Sequence, residues 1–206
     1  MKVLLVNGSP NGHGCTYTAL KEIEKTLRAE GVETEMFYLG NKPIGGCLGC
    51  GACKKLGKCV QEDVVNKLLP KALEVDGIVL GAPVHYASAA GQASCAYDRL
   101  FVMSNGAFAN KLGAAVVSCR RGGATATFDQ LNKYFTISSM PLVGSSYWNM
   151  VHGNTPEEVM KDEEGVQIMR VLGKNMAWLL KCIEAGKKNG VAVPAAEDKI
   201  KTNFIR

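Results

Sequence analysis

Four of the chain's eight cysteines, Cys47, Cys50, Cys53 and Cys59, fall within thirteen residues. Their spacing is Cys-x2-Cys-x2-Cys-x5-Cys, and glycines at 46, 49, 51 and 57 leave the segment free to wrap around an occupant. Thiolates at this density repel one another and oxidise unless something holds them. Three fates suit the pattern: ligation of an iron–sulfur cluster, ligation of zinc, or a set of free thiols that pair as a redox disulfide. Zinc more often takes two Cys pairs set further apart, and the bacterial ferredoxin run places its fourth Cys sooner, followed by Pro. Here Val60 follows Cys59. The remaining cysteines, Cys15, Cys95, Cys119 and Cys182, stand singly in apolar or glycine-rich surroundings and are expected to be small buried hydrophobes.

A different chemistry is written in residues 7–16, Asn-Gly-Ser-Pro-Asn-Gly-His-Gly-Cys-Thr. Backbone N–H groups, a helix N-terminus and the hydroxyls of Ser9 and Thr16 would make an anion site there. The loop lacks the Lys of a Walker motif and the glycine spacing of the dinucleotide fingerprint, so a monophosphate fits better than a triphosphate or a dinucleotide. Phosphatase chemistry at Cys15 would need an Arg six residues on, and that position is Lys21. Further along, Pro83, Val84, His85 and Tyr86 bring an imidazole and a phenol against which a flat heteroaromatic ligand could lie. Residues 118–123 add Ser118, two cations (Arg120 and Arg121) and a flexible Gly122-Gly123. A cation there would stabilise a ring that becomes anionic on reduction. Trp148, Asn149 and His152 are candidate substrate contacts, and core or helix-capping roles suit them as well.

Positioning these loops requires alternating strands and helices. The apolar run at residues 2–7 suits a strand buried on both faces. Leu20, Ile23 and Leu27 give the following helix one apolar face. Further strands are expected over residues 32–39, 75–82, 112–118 and 141–148, and helices from Asp63 to about residue 73, over 91–103 and over 125–138. Pro70 should kink or divide the first of these helices. A last helix starts at Thr155-Pro156-Glu157-Glu158 and runs to Gly186. The expected fold is α/β: one doubly wound, flavodoxin-like domain over 1–186, with the cysteine-rich loop at 46–60. It should hold a five-stranded parallel sheet in the order 2-1-3-4-5, helices on both faces and a ligand where the order reverses, at strands 1 and 3.

With 47% hydrophobic and 21% charged residues, the composition is that of an ordinary globular domain. The opening run is too short for a signal peptide and no later run reaches a membrane span, so a cytoplasmic protein is expected. Much of the net charge of +5 sits in residues 187–206, a basic C-terminal tail with Lys187, Lys188, Lys199, Lys201 and Arg206 against Glu197 and Asp198. Without interleaved aromatics or a basic helical face it is expected to be solvated, with no nucleic acid or membrane as partner.

Asn-Gly-Ser-Pro at 7–10, Ala-Pro-Val-His-Tyr at 82–86, Tyr97-Asp98-Arg99 and the cysteine loop closing on Val60-Gln61-Glu62-Asp63 together resemble the NADPH-dependent FMN reductase family, more narrowly its iron–sulfur flavoprotein branch. That resemblance implies FMN, with its phosphate near Ser9, Asn11, Gly14, Cys15 and Thr16, its ring at Pro83, Val84, His85 and Tyr86, and its pyrimidine end near Ser118, Arg120, Arg121, Gly122 and Gly123. It implies a [4Fe–4S] cluster on Cys47, Cys50, Cys53 and Cys59, and a homodimer or tetramer. It further implies electron transfer from NAD(P)H to a quinone, a flavin, a nitro or azo compound or an iron–sulfur partner. The chemistry would be flavin-borne, with His85, Tyr86 and His152 as candidate side chains for catalysis. An electron carrier or redox sensor without NAD(P)H turnover is the alternative.

Overall fold

The apolar run of β1 (Lys2–Asn7) divides its side chains between two cores, Val3 and Leu5 on one face and Leu4 and Val6 on the other. All four are fully buried, which a strand achieves only at the centre of a sheet covered on both sides. The same alternation holds in β3 (Gly77–His85), with Ile78 and Leu80 opposite Val79, and in β5 (Leu112–Cys119), with Ala115 and Val117 opposite Ala114 and Val116. The computed structural model describes residues 1–195, 197, 200 and 202, so the expected tail charges Lys199, Lys201, Arg206 and Asp198 lie outside the described residues.

Parallel pairing joins β2 (Glu33–Tyr38), β1, β3, β5 and β6 (Met150–His152) in the order β2-β1-β3-β5-β6. This is the expected order, with one addition. A two-residue strand, β4 (Ser88–Ala89), folds back antiparallel on the end of β3, pairing Val84 with Ala89 and His85 with Ser88. Residues of α3 (Val64–Leu73), α4 (Gly91–Ser104) and α5 (Ala124–Ile137) pack on the Leu4 face. Those of α1 (Cys15–Ala29) and α7 (Glu163–Lys188) cover the other. Among the described residues no helix is long and apolar enough to cross a membrane.

Four expectations change. The fifth strand is not continuous over 141–148: Gly113 bridges Leu142, and pairing resumes only where Val117 meets Met150. Over that interval the outer segment advances four residues more than β5 does, and the surplus loops out around the exposed Tyr147 and Trp148. Ser145 Oγ, donating to Asn149 Oδ1 (2.7 Å), closes the loop, a local competitor to strand pairing. The last helix is broken, because Asp162 ends α6 (Pro156–Lys161) and caps α7 by accepting from Gly165 N at 2.9 Å. Pro70 does not divide α3; the helix runs through it, with the ring exposed near the C-terminal end. Of the four isolated cysteines only Cys119 is buried; Cys15 and Cys95 are half-buried and Cys182 is exposed on the outer face of α7, near the exposed Trp178.

Candidate functional site

At the reversal point, between the ends of β1 and β3, the chain is tied through one carbonyl. Gly81 O accepts from Gly8 N (2.9 Å) and from the Tyr97 hydroxyl (2.8 Å). A Cβ on Gly8 would lie 2.5 Å from the Tyr97 oxygen and 2.7 Å from Gly81 O, so only glycine fits. Complete burial pushes the Tyr97 hydroxyl far above the usual tyrosine range and keeps it protonated as a donor.

The loop that follows is folded by its own side chains. Asn7 Oδ1 accepts from Ser9 N (3.1 Å), Ser9 Oγ from Asn11 N (3.1 Å) and Asn11 Oδ1 from His13 N (3.2 Å), three successive turns closed by side chains. The buried Asn7 also donates from Nδ2 to Gly12 O (3.2 Å), and the Tyr38 hydroxyl holds Pro10 O at 2.7 Å. The loop ends at Gly14, the N-cap of α1, and no side chain among the described residues caps that helix. Its first-turn N–H groups therefore face the loop without intrahelical acceptors, the arrangement that binds an anion. Thr16 Oγ1 and Ser118 Oγ, both buried, share a 2.8 Å hydrogen bond that locks this loop to the end of β5. The Cys15 thiol lies 3.5 Å from Gly153 O; burial first, then Glu158 and Glu157, push its pKa up, so it is a neutral wall rather than a nucleophile.

Opposite this loop stands the β3–β4 hairpin. Its central residues Tyr86 (φ 49°) and Ala87 (φ 60°) both take left-handed backbone, the requirement of a type I′ turn that Asn-Gly usually meets. Tyr86 is fully exposed, so no packing of its own ring offsets the strain. The clamp comes from α5: Gln130 Oε1 accepts from Ser88 Oγ (2.7 Å) and Ala89 N (2.9 Å). Gly123 (φ 90°) presses on the turn so closely that a Cβ would sit 2.5 Å from Ala87 Cα and 2.9 Å from Val84 Cγ1. Gly123 thus brings the 118–123 loop against the hairpin. Cys119, the last residue of β5, is buried with its thiol 3.6 Å from Arg121 O, and its pKa is raised by burial and then by Asp162.

Other expected residues stand further out. Pro83 and Val84 are half-buried, whereas His85, Arg120, Arg121 and Gly122 are exposed, and neither arginine forms an ion pair among the described residues. His152 is exposed as well, with Nδ1 3.6 Å from Asp162 Oδ2, the oxygen that also accepts from its backbone N–H at 2.7 Å. Asn149 is buried and structural, while Tyr147 and Trp148 meet at 4.8 Å between ring centroids and stay open to solvent.

The four clustered cysteines line one cavity of about 250 Å³ beside α4. Cys53, on the short helix α2 (Cys53–Leu56), and Cys59 pack against the core; Cys47 and Cys50 are exposed. Among the described residues no three His, Cys, Asp or Glu side chains stand close enough for one metal ion. The cavity gathers the thiols without converging them. An all-cysteine donor set suits iron–sulfur ligation, and a cluster spreads its ligands wider than a single ion does. Sequence reasoning passed over Asn7, Gln130 and the buried Arg99, which reaches this cavity from α4. Only the Tyr97-Asp98-Arg99 string hinted at the last.

Residues 1–155 match the family described as NADPH-dependent FMN reductase. An iron–sulfur flavoprotein of Methanocaldococcus jannaschii is 35% identical over 192 residues, spanning 89% of this chain and 100% of that protein. In structure, the chain is similar to RosB with a bound 8-demethyl-8-formylriboflavin-5′-phosphate, at a TM-score of 0.68 and 16% identity, covering 100% of this chain and 94% of that one. A flavodoxin from the domain Archaea aligns at a TM-score of 0.58 and 15% identity, covering 88% and 99%. At such identities the two solved structures show the flavodoxin-like fold.

Proposed function

The chain belongs to the NADPH-dependent FMN reductase family, and on that premise we propose that it is an FMN-dependent oxidoreductase drawing electrons from NAD(P)H. The acceptor is a quinone, a flavin, a nitro or azo compound, or an iron–sulfur group. The observation that carries this reading is the uncapped first turn of α1 under a loop already shaped by Asn7, Ser9 and Asn11. The first-turn N–H groups, with the hydroxyls of Ser9 and Thr16, hold a phosphate there, next to Gly14 and Cys15. Pro83, Val84, His85 and Tyr86 flank the ring on one side, and the 118–123 loop, with Ser118, Arg120, Arg121, Gly122 and Gly123, borders its pyrimidine end. FMN supplies hydride acceptance and onward electron transfer. The protein's own residues orient the ring, exclude water from beneath it and place positive charge at the edge where negative charge grows. His152 and Trp148 stand at the same sheet end, where a substrate would approach.

A [4Fe–4S] cluster on Cys47, Cys50, Cys53 and Cys59 belongs to the same proposal, supported by the single cavity all four line. Residues 1–186 form the flavin domain, and 187–206 a basic tail. The exposed Tyr86, Tyr147 and Trp148 support a homodimer or tetramer closing over this edge. A cytoplasmic home fits the free thiols. The second reading, an electron carrier without NAD(P)H turnover, is favoured by the exposure of Cys47 and Cys50, which leaves the cluster site within reach of a partner protein.

Anaerobic protein reconstituted with FMN, iron and sulfide should show flavin absorbance, and equal iron and sulfide matching one cluster per chain. Stopped-flow mixing with NADPH or NADH should bleach the flavin promptly. Absence of FMN binding overturns the proposal; FMN binding without bleaching by either nucleotide selects the carrier.

A further inference from the structure

Arg99 is the largest fully buried side chain of the molecule's described residues, at 1% exposure, and its donors can be counted. Nη1 donates to Asp63 Oδ2 (2.5 Å) and Gly45 O (3.3 Å), and Nη2 to Asp63 Oδ1 (2.9 Å) and Gln61 O (3.0 Å). A guanidinium has five N–H groups, and these four bonds use all but one. The fifth, on Nε, is buried and has no acceptor among the described residues. A buried donor left unpaired is costly and rare, and calls for an occupant.

The surroundings of Nε indicate which. Arg99 lines the same cavity as the four cysteines. Gly45 and Gln61, whose carbonyls it grips, are the two ends of the cysteine loop, and Gln61 Nε2 ties them again through Gly46 O (2.8 Å). The cysteine backbone best fixed by side chains is that of Cys59: its N–H reaches Asn66 Oδ1 (2.8 Å) and its carbonyl accepts from Asn66 Nδ2 (3.0 Å). An arginine keeps its charge in proteins, and here the Asp63 carboxylate stands against the guanidinium at 2.5 Å as its counter-ion. The cation thus borders the cavity that the four thiols line.

We propose that Arg99 is a positioning residue for the group held by the cysteine loop. Its fork closes the loop, and its remaining N–H donates to a cysteine sulfur there, favouring the more negative, reduced state of the group. This rests on the cluster reading above. Hydrogen bonds to sulfur and local charge are among the terms that set such potentials. Asp63 is the counterweight: it neutralises the guanidinium while capping α3 through Val65 N (3.0 Å), a role Asn fills equally well.

The test titrates the reduction potential of the reconstituted cluster with dithionite and mediators, following its paramagnetic reduced form, in wild type, Arg99→Lys and Asp63→Asn. Arg99→Lys should lower the potential, and Asp63→Asn, which leaves the cation uncompensated, should raise it. Each should change the reduced-to-oxidised ratio at the wild-type midpoint about tenfold, or 59 mV for one electron. Opposite signs are the signature, since mere loosening of the loop would move both variants the same way. Shifts of one sign, or none, with full iron content overturn the proposal. If Arg99→Lys takes up no iron, Asp63→Asn decides alone, and a potential that does not rise overturns it. If both variants keep FMN but lose iron, the residue is only a clamp and the sulfur contact is overturned. A wild type that assembles no cluster defeats the cluster reading first and this inference with it.

Discussion

Residues 7–16 and residues 46–60 are both glycine-rich loops beside the same sheet, and they are held in different ways. The first is pinned along its length, by side chains at alternate positions, by the Tyr38 hydroxyl and by the Thr16–Ser118 pair. The second is tied where it leaves and rejoins the core, at Gly45, Gly46, Cys59 and Gln61, and its Gly49 and Gly51 have open space around them. A cradle made from main chain is preformed before its anion arrives, so binding there costs little ordering. On the cluster reading proposed above, a loop fastened at its ends would leave the last convergence of its thiols to the ligand, coupling binding to local folding.

Matched substitutions sharpen this contrast. Gly8→Ala pushes a methyl group into the Tyr97 hydroxyl, Gly81 O and Ala93 Cβ, at 2.5, 2.7 and 2.8 Å, and should cost about 3 kcal/mol in urea unfolding and weaken FMN retention. Gly49→Ala, in open space at φ +65°, should cost only about 1 kcal/mol for its left-handed backbone and leave FMN untouched. Equal losses for the two would break the distinction. Thr16→Ala removes half of a buried hydroxyl pair and should cost about 1 kcal/mol, read as a severalfold weaker FMN titration of the apoprotein. Cys50→Ser, by contrast, should abolish iron uptake while FMN affinity and the unfolding midpoint stay at wild-type values. The smallest effect is expected at the hairpin. Tyr86→Gly relieves a positive φ and should raise the thermal midpoint of the apoprotein by the equivalent of about 0.5 kcal/mol, while weakening FMN binding where the phenol flanks the ring.

Much of the fold is legible because its signals are local. Val3 to Val6 suit a strand buried on both faces, and the structure buries them so, Asp63 and Thr155 announce helix starts, and glycine-rich turns after β1 and β5 place flexible backbone at one sheet end. The errors arise where a local preference is decided by a distant contact. Nothing near Gly144 shows that the outer strand will be interrupted, because strand continuity depends on the register it finds against β5. Asp162 looks like one more helical residue until its carboxylate meets His152 N from β6 and Gly165 N from α7.

By itself, then, the sequence determined the alternation of elements and the residue types gathered in their loops: glycines and hydroxyls after β1, and four closely spaced thiols at 47–59. Those follow from side-chain period and turn chemistry over a few residues. Only the tertiary structure decided that Gly123 would brace the hairpin at Ala87, that the Tyr97 hydroxyl would reach Gly81 in β3, and that Arg99 would close a cysteine loop whose ends, Gly45 and Gln61, lie 54 and 38 residues before it in sequence. Each is a pairing of groups far apart in the chain, fixed by which buried donors and acceptors the packed core leaves for one another.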